Sequence, residues 1–163
     1  MSTNSGTELL ALLGSPLESA LIQKLLQELG VTPVLEFGGR GPAMDATIPS
    51  LGLDITFKPT ASLRDGDAFG QSPTALVTAV FFFHAPGFDR YAGYPGALPY
   101  GLHFEQSRAA VRSLLGEPSG SSLRYKNDRW NLEPRYLTVD FSDDEQRIKL
   151  VTVGLPWKPR TPS

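Results

Sequence analysis

The sequence predicts an α+β protein of two tandem units, each a helix packed on an antiparallel sheet of three to four strands. Two helix patterns that end at a glycine, over residues 15–30 and 107–116, are each followed by short strand-like runs. The chain also holds 16 glycines and 14 prolines, which implies many turns and suits short strands better than a helical bundle. A chain of 163 residues is long enough for two small modules that share a core.

Composition and charge narrow the classes of function. The net charge is −2, which gives no electrostatic footprint for nucleic acid. Cysteine is absent, which excludes disulfides, zinc–thiolate sites and thiol catalysis. The first residues lack the basic region of a signal peptide, and no run approaches the roughly 18 apolar residues of a membrane span. We therefore expect a cytoplasmic protein that binds neither nucleic acid nor membrane.

The chain is expected to divide into five segments. They are an N-terminal segment 1–14, a first α+β unit 15–84, a linker 85–100, a second α+β unit 101–155 and an irregular tail 156–163. The strand-like runs are 44–48, 53–57, 75–84, 102–104, 122–126, 129–132, 135–141 and 148–155. The run 75–84 is apolar on both faces, which is typical of a strand at the centre of a sheet.

Both predicted helices begin at a serine. Ser15 is the predicted N-cap of the first helix, with Pro16 at the first helical position and Glu18 completing a capping box. Ser107 is the predicted N-cap of the second helix, and Gly116 is its predicted stop. The order of helix, strand and strand is the same in both halves, so LQELGVTP aligns with VRSLLGEP, SLGLDITFK with RYLTVDFSD, and LVTAVFFF with RIKLVTVG. A structural repeat is therefore expected.

The sequence motifs resemble known protein-binding families. GLHFEQSRAAVRSLLGEP resembles the module of β-lactamase inhibitor proteins and of outer-membrane assembly lipoproteins of the SmpA/OmlA type, in which a helical segment packs on an antiparallel sheet. The lipid-bearing Cys of those lipoproteins is missing here. The wider pattern of LLGSPLES, SLGLDITFK, a strand ending FFFH, GYPGALPYGLHFEQSRAAVRSLLGEP and DRW is similar to small cytosolic bacterial toxin-immunity proteins. The resemblance implies that the chain binds a cognate protein toxin.

Few residues suit catalysis. Only His84 and His103 are near-neutral acid or base groups, and they do not have the spacing of a metal-binding motif. A two-histidine site completed by Asp89 or Glu105 stays open as an alternative, because sites are assembled in space. We otherwise expect no catalytic residue, no metal and no cofactor.

Aromatic and charged residues provide the candidate binding site. Aromatics in the linker either pin it to the body of the protein or form a binding ledge. Arginines around Trp130 indicate either a strand face that grips a protein or a core tryptophan among solvated charges. The acidic run 143–146 is predicted to be a solvated hairpin turn. The candidate partner-binding residues are Phe88, Tyr91, Tyr94, Tyr100, Arg129, Trp130, Asp143, Asp144 and Glu145.

The predicted function is that of a non-catalytic, intracellular protein-binding module. The favoured interpretation is an immunity protein that neutralises a cognate bacterial toxin by stoichiometric occlusion. A small assembly or scaffold protein with a permanent protein partner is the alternative, and a histidine-dependent enzyme is another.

Overall fold

A computed structural model of the chain describes residues 5–69 and 75–158, which form three short helices and eight strands. The helices are α1 (Gly6–Leu10), α2 (Ala20–Glu28) and α3 (Arg108–Leu115). The strands are β1 (Glu36–Gly38), β2 (Gly41–Ile48), β3 (Leu53–Pro59), β4 (Ala75–Phe83), β5 (Gly120–Ser122), β6 (Asn127–Leu132), β7 (Arg135–Phe141) and β8 (Ile148–Gly154). Within the described ranges, no helix has both the length and the apolar composition that crossing a membrane requires.

The predicted fold class is wrong in its architecture. The described strands form one antiparallel sheet in the order β1-β2-β3-β4-β8-β7-β6-β5, and the structure is mostly sheet rather than two helix-on-sheet units. The two halves join where β4 pairs with β8, from Ala79↔Gly154 to Phe83↔Leu150. β4 is buried along nearly its whole length, so its backbone needs a partner strand on both edges. Apolar pattern alone does not reveal which distant strand supplies the second edge.

The strand predictions differ in accuracy. The run 135–141 coincides with β7, the run 148–155 ends one residue beyond β8, and the run 75–84 is confirmed as the central strand β4. The run 102–104 does not form a strand. The run 122–126 is also wrong, since β5 ends at Ser122 and the chain then turns into β6.

The start of the first helix is a second correction. Helix α2 begins at Ala20 and is capped by Ser19, whose side chain accepts a hydrogen bond from the backbone N–H of Ile22, so Ser15 is not its N-cap. Residues 15–17 instead lie extended beside the first residues of β4, with hydrogen bonds from the N–H of Leu17 to Ala75 O and from the N–H of Val77 to Ser15 O. The pairing of β4 with β8 stops at Ala79, so the preceding residues of β4 bind this segment instead. For α3, Ser107 and Gly116 are confirmed as cap and stop.

All three helices pack on the same face of the sheet. Leu9, Ile22, Leu26 and Val111 from the helices share one buried cluster with the alternate residues of the strands. In β3, for example, Leu53, Ile55 and Phe57 lie in this core, whereas the residues between them are only partly buried. We call the side of the sheet that these helices leave uncovered the open face.

A buried ionic cluster fixes α3 to the sheet. Asp128 on β6 points into the core and is fully buried. Arg108 donates from Nη2 and Nε to its two carboxylate oxygens at 2.7 and 3.2 Å, and Arg112 donates from Nε and Nη2 at 2.8 Å each. Arg108 and Arg112 lie four residues apart and therefore one above the other on α3. One carboxylate thus binds both guanidinium groups.

Arg108 also ties the turn between β7 and β8 and the first residue of β6 to the start of α3. Its Nη1 donates to the Glu145 carboxylate at 2.6 Å, and its backbone N–H donates to Glu145 O at 2.9 Å. Its Nη2 donates to the backbone O of Asn127, the first residue of β6, at 3.1 Å. The side chain of Arg108 therefore holds together α3, the turn between β7 and β8, and the start of β6.

Replacing Asp128 is expected to destabilise the fold strongly. Asp128→Asn keeps the shape of the side chain but leaves the buried Arg108 with Glu145 as its remaining carboxylate partner in the described residues. Losing one member of a buried ion pair costs about 3 kcal/mol or more of unfolding free energy. Urea denaturation followed by circular dichroism measures the loss. The matched control, Asp65→Asn, removes the charge of an exposed ion pair with Arg64 and should leave the urea midpoint nearly unchanged. Equal midpoints for the two variants would contradict the structural role given to Asp128.

The stability of the protein should depend on the ionisation of Asp128. Burial by itself raises the pKa of this carboxyl, but the hydrogen bonds from Arg112 and Arg108 outweigh burial and lower the pKa below its ordinary value. The ionised form therefore contributes its full stability above the unfolded pKa of about 3.9, and this contribution is lost as pH falls through the lower, folded-state pKa. The difference in unfolding free energy between wild type and Asp128→Asn should accordingly shrink below about pH 4. Urea titrations from neutral to acid pH measure it, and a constant difference would refute the assignment.

Candidate functional site

Six strands each contribute one side chain to a row across the open face. The register pairs Thr47 with Asp54, Asp54 with Phe81, Phe81 with Thr152, Thr152 with Thr138, and Thr138 with Arg129. We call these residues the cross-strand row: Thr47, Asp54, Phe81, Thr152, Thr138 and Arg129. Thr47 and Arg129 are exposed, Asp54, Phe81 and Thr138 are partly exposed, and Thr152 is buried. The row joins an acidic residue from one half of the chain to a basic residue from the other.

The segment after β4 covers one end of the open face. The ring of Tyr91 stacks on that of Phe83 with centroids 3.9 Å apart, and Phe88 meets Phe83 edge-on at 5.0 Å. The hydroxyl of Tyr91 donates to the carboxylate of Asp54 at 2.9 Å. Burial raises the pKa of Asp54 above its ordinary value, although the hydrogen bond from Tyr91 opposes the shift. Phe88 and Tyr91 thus hold the segment against the sheet.

A cluster of Arg129, Tyr136 and Trp157 occupies the other end of the open face. Tyr136 on β7 lies across Gly154 on β8, where any Cβ atom would stand only 2.6 Å from the Tyr136 hydroxyl oxygen, so glycine is required for this close approach. The guanidinium carbon of Arg129 lies 4.3 Å from the Tyr136 ring centroid. Trp157 meets the same ring edge-on at 6.1 Å, and its side chain is 63% exposed. Burial raises the pKa of the Tyr136 hydroxyl, which stays protonated at neutral pH.

A cleft of about 400 Å³ opens beside this cluster, and we call it the basic–aromatic cleft. Two backbone hydrogen bonds, from Arg64 N–H to Pro156 O and from Lys158 N–H to Ser62 O, join the two chain segments at this cleft in antiparallel fashion. The lining residues are Arg64, Arg129, Asn131, Glu133, Arg135, Pro156, Trp157 and Lys158. Four cations and one carboxylate therefore surround it, in a chain whose net charge is −2.

The cations of the basic–aromatic cleft differ in how they are paired. Arg64 donates to both carboxylate oxygens of Glu133, at 3.0 and 2.7 Å, and also binds Asp65 at 2.9 Å. Within residues 5–69 and 75–158, the side chains of Arg129, Arg135 and Lys158 have no carboxylate within ion-pair distance. Three cations without a carboxylate partner in the described residues thus line a cleft that also holds an exposed tryptophan.

The aromatic residues predicted to bind a partner are placed differently from one another. Tyr94 is 6% exposed and packs edge-on against Phe82, and burial raises its pKa to about 12. Trp130 is 3% exposed and donates from Nε1 to Gly116 O at 3.1 Å. Tyr100 is partly buried against the core, with φ 61°. Among the predicted binding residues Phe88, Tyr91, Tyr94, Tyr100, Arg129 and Trp130, Arg129 is the one that belongs to the cross-strand row.

The predicted acidic residues lie at the turn between β7 and β8, away from the cross-strand row. Asp144 accepts hydrogen bonds from the Ser142 hydroxyl at 2.6 Å and from the N–H of Gln146, which lower the pKa of its carboxyl. Asp143 and Asp144 help line a second cleft of about 440 Å³, together with His84. Glu145 is bound to Arg108. The hairpin turn is therefore where the sequence predicted it.

The two histidines occupy different surroundings. His84 stacks on Phe104 with centroids 4.6 Å apart, and its Nε2 lies 3.4 Å from Glu105 Oε1 without hydrogen-bond geometry. His103 is exposed and is not among the residues that line the cleft beside His84. Within the described part of the chain, no group of three or more His, Asp or Glu side chains could hold a metal ion.

Trp157 and Arg64 are the residues that sequence reasoning missed. Trp157 lies three residues beyond the end of β8, in the proline-rich segment predicted to be an irregular tail, and its backbone bridges to Leu63. An aromatic residue shortly after the predicted strand 148–155 was the available signal. Residues 159–163 of that predicted tail lie outside the described residues.

Comparisons with known proteins found no match to any family model, to any curated protein or to any solved structure.

The exposure of Trp157 can be measured by fluorescence quenching. The chain has two tryptophans, and Trp130 is buried, so Trp157 should supply most of the emission that acrylamide quenches. Trp157→Phe should therefore reduce the Stern–Volmer slope severalfold, whereas Tyr125→Phe at a separate exposed site should leave it unchanged. A slope that Trp157→Phe does not lower would show that this tryptophan is shielded.

Proposed function

We propose that this chain is a non-catalytic, intracellular protein-binding module, and specifically an immunity protein that neutralises a cognate toxin by stoichiometric occlusion. The observation that carries the proposal is the open face. It is uncovered by α1, α2 and α3, and it presents a partly exposed cross-strand row that ends at the basic–aromatic cleft.

The size of the open face suits a protein partner. Strands lie about 4.8 Å apart, so a row that crosses six of them spans roughly 24 Å. A stable interface buries about 800 Å² on each partner, and a face of this width is large enough to supply that area.

The residue types at this surface also suit a protein partner. Arg, Tyr and Trp dominate the binding energy of protein interfaces, and this surface carries the exposed Arg129 and Trp157, each in contact with the ring of Tyr136. Phe81 supplies a partly exposed apolar centre, and the threonines beside it supply small polar contacts. Because strands hold these side chains, little conformational entropy would be lost when a partner binds.

Occlusion is the mechanism that such a surface supports. A rigid sheet face that covers the active site of a toxin, or the path of its substrate, blocks activity without chemistry. Complex formation would therefore be stoichiometric, and inhibition would be reversed only by dissociation.

The open face should be the binding surface in a direct test. The chain is co-expressed with the product of the adjacent upstream gene, and both cell survival and co-purification are scored. Thr138→Arg places a bulky side chain beside Arg129 in the cross-strand row and should weaken the complex at least tenfold. The matched control, Ala109→Arg on the exposed side of α3, should leave affinity and survival unchanged.

Other outcomes identify the alternatives. Equal affinity of both arginine variants would remove the open face as the site while leaving the function in place. Absence of both rescue and complex would refute the immunity proposal, and an unbiased pull-down would then test for a permanent scaffold partner. Melting temperatures of both variants should match the wild type, which separates lost binding from lost folding.

A further inference from the structure

We propose that the basic–aromatic cleft binds an acidic, extended polypeptide segment of the partner, with its carboxylates on Arg129, Arg135 and Lys158 and an apolar or aromatic side chain on Trp157. This inference rests on the proposed function, because it names the chemistry that the partner presents to one end of the same surface.

The charges of the cleft select an anionic occupant. Arg64 is already paired with Asp65 and Glu133, so we expect it to stabilise the wall of the cleft and not to bind the ligand. Arg129, Arg135 and Lys158 line the cleft and have no carboxylate partner in the described ranges. An acidic ligand would supply these cations with charge-assisted hydrogen bonds that the described residues do not provide.

The cleft is already arranged to receive that ligand. Arg129 is held in place by the Tyr136 ring and by its own Nε, which donates to Asn131 Oδ1 at 3.1 Å. Its terminal nitrogens therefore stay available in a fixed orientation. Trp157 is held by its backbone bridge to Leu63 and by its edge contact with Tyr136, while most of its ring stays exposed.

Two features favour a polypeptide over a nucleic acid. A volume of about 400 Å³ accommodates a few side chains, whereas a nucleic acid needs a longer basic track to follow its phosphates. The far end of the cross-strand row is acidic at Asp54, and Asp45 lies on the neighbouring strand beside it, so a polyanion that continued along the face would meet repulsion. A short acidic segment that ends at the cleft avoids those carboxylates.

The test uses labelled oligoglutamate, with oligoglutamine and oligothymidylate of equal length as comparison probes. Fluorescence anisotropy measures binding, and quenching of Trp157 locates it. Oligoglutamate should bind with a Kd that rises with salt, whereas oligoglutamine should not bind. The double variant Arg129→Gln, Arg135→Gln should raise this Kd at least tenfold. The matched double variant Arg40→Gln, Arg147→Gln makes the same charge change at exposed sites outside the cleft and should change the Kd less than twofold.

Arg129→Lys separates charge from support of the fold. It keeps the positive charge and should retain most of the binding, whereas Arg129→Gln should not. Urea midpoints for all variants show whether any loss reflects unfolding.

Several results would overturn the inference. The inference requires oligoglutamate to bind at low salt, so a failure to bind would overturn it. An equal loss of affinity in the Arg40→Gln, Arg147→Gln control, or tighter binding of oligothymidylate than of oligoglutamate, would also overturn it.

The two proposals fail separately. If the upstream gene product binds, is sensitive to Thr138→Arg and is indifferent to the loss of Arg129 and Arg135, the acidic-segment inference falls and the function stands. If oligoglutamate binds in the cleft but no toxin partner does, the function falls and the inference stands.

Discussion

The arrangement of the second half of the chain depends on the charge of one buried side chain, Arg108. Moving a guanidinium group out of water costs several kcal/mol, and that cost is offset only where hydrogen-bond partners surround the group. Arg108 finds them on Asp128, on Glu145 and on the carbonyl of Asn127. These partners belong to β6 and to the turn between β7 and β8, so satisfying one side chain fixes the positions of several elements. Glu145 adopts a left-handed backbone conformation with φ 59°, which this network helps to hold.

The pairing of β4 with β8 has the largest consequence for the surface of the protein. It turns two four-stranded meanders into one sheet, and it places all three helices on one side. The opposite face then presents side chains from both halves in a single register. Asp54 and Arg129 come from distant parts of the sequence, yet they belong to one row because each pairs step by step with its neighbour.

The charge distribution of this face differs from that of the whole chain. The net charge of −2 gives no indication of a basic site, but the ion pairs within the chain are unevenly distributed over its surface. Asp128 and Glu145 are committed to α3, and Glu133 is committed to Arg64. Among the described residues, Arg129, Arg135 and Lys158 therefore remain as cations without a carboxylate partner at one end of the sheet. Such local imbalance sets partner choice and association rate more than net charge does.

The sequence by itself determined the local elements. Alternation predicted β7 and β8 within a residue, an apolar run predicted the central β4, and Ser107 with Gly116 bounded α3, because these patterns depend on neighbours along the chain. The tertiary structure decided which strands pair, that Ser15 lies beside β4 instead of capping a helix, and that Trp130 is buried while Trp157 is exposed. It also decided the candidate site, of which Arg129 was predicted and Trp157 was not. These outcomes depend on backbone groups and charges that are distant in sequence, and a one-dimensional pattern carries no information about which of them will meet.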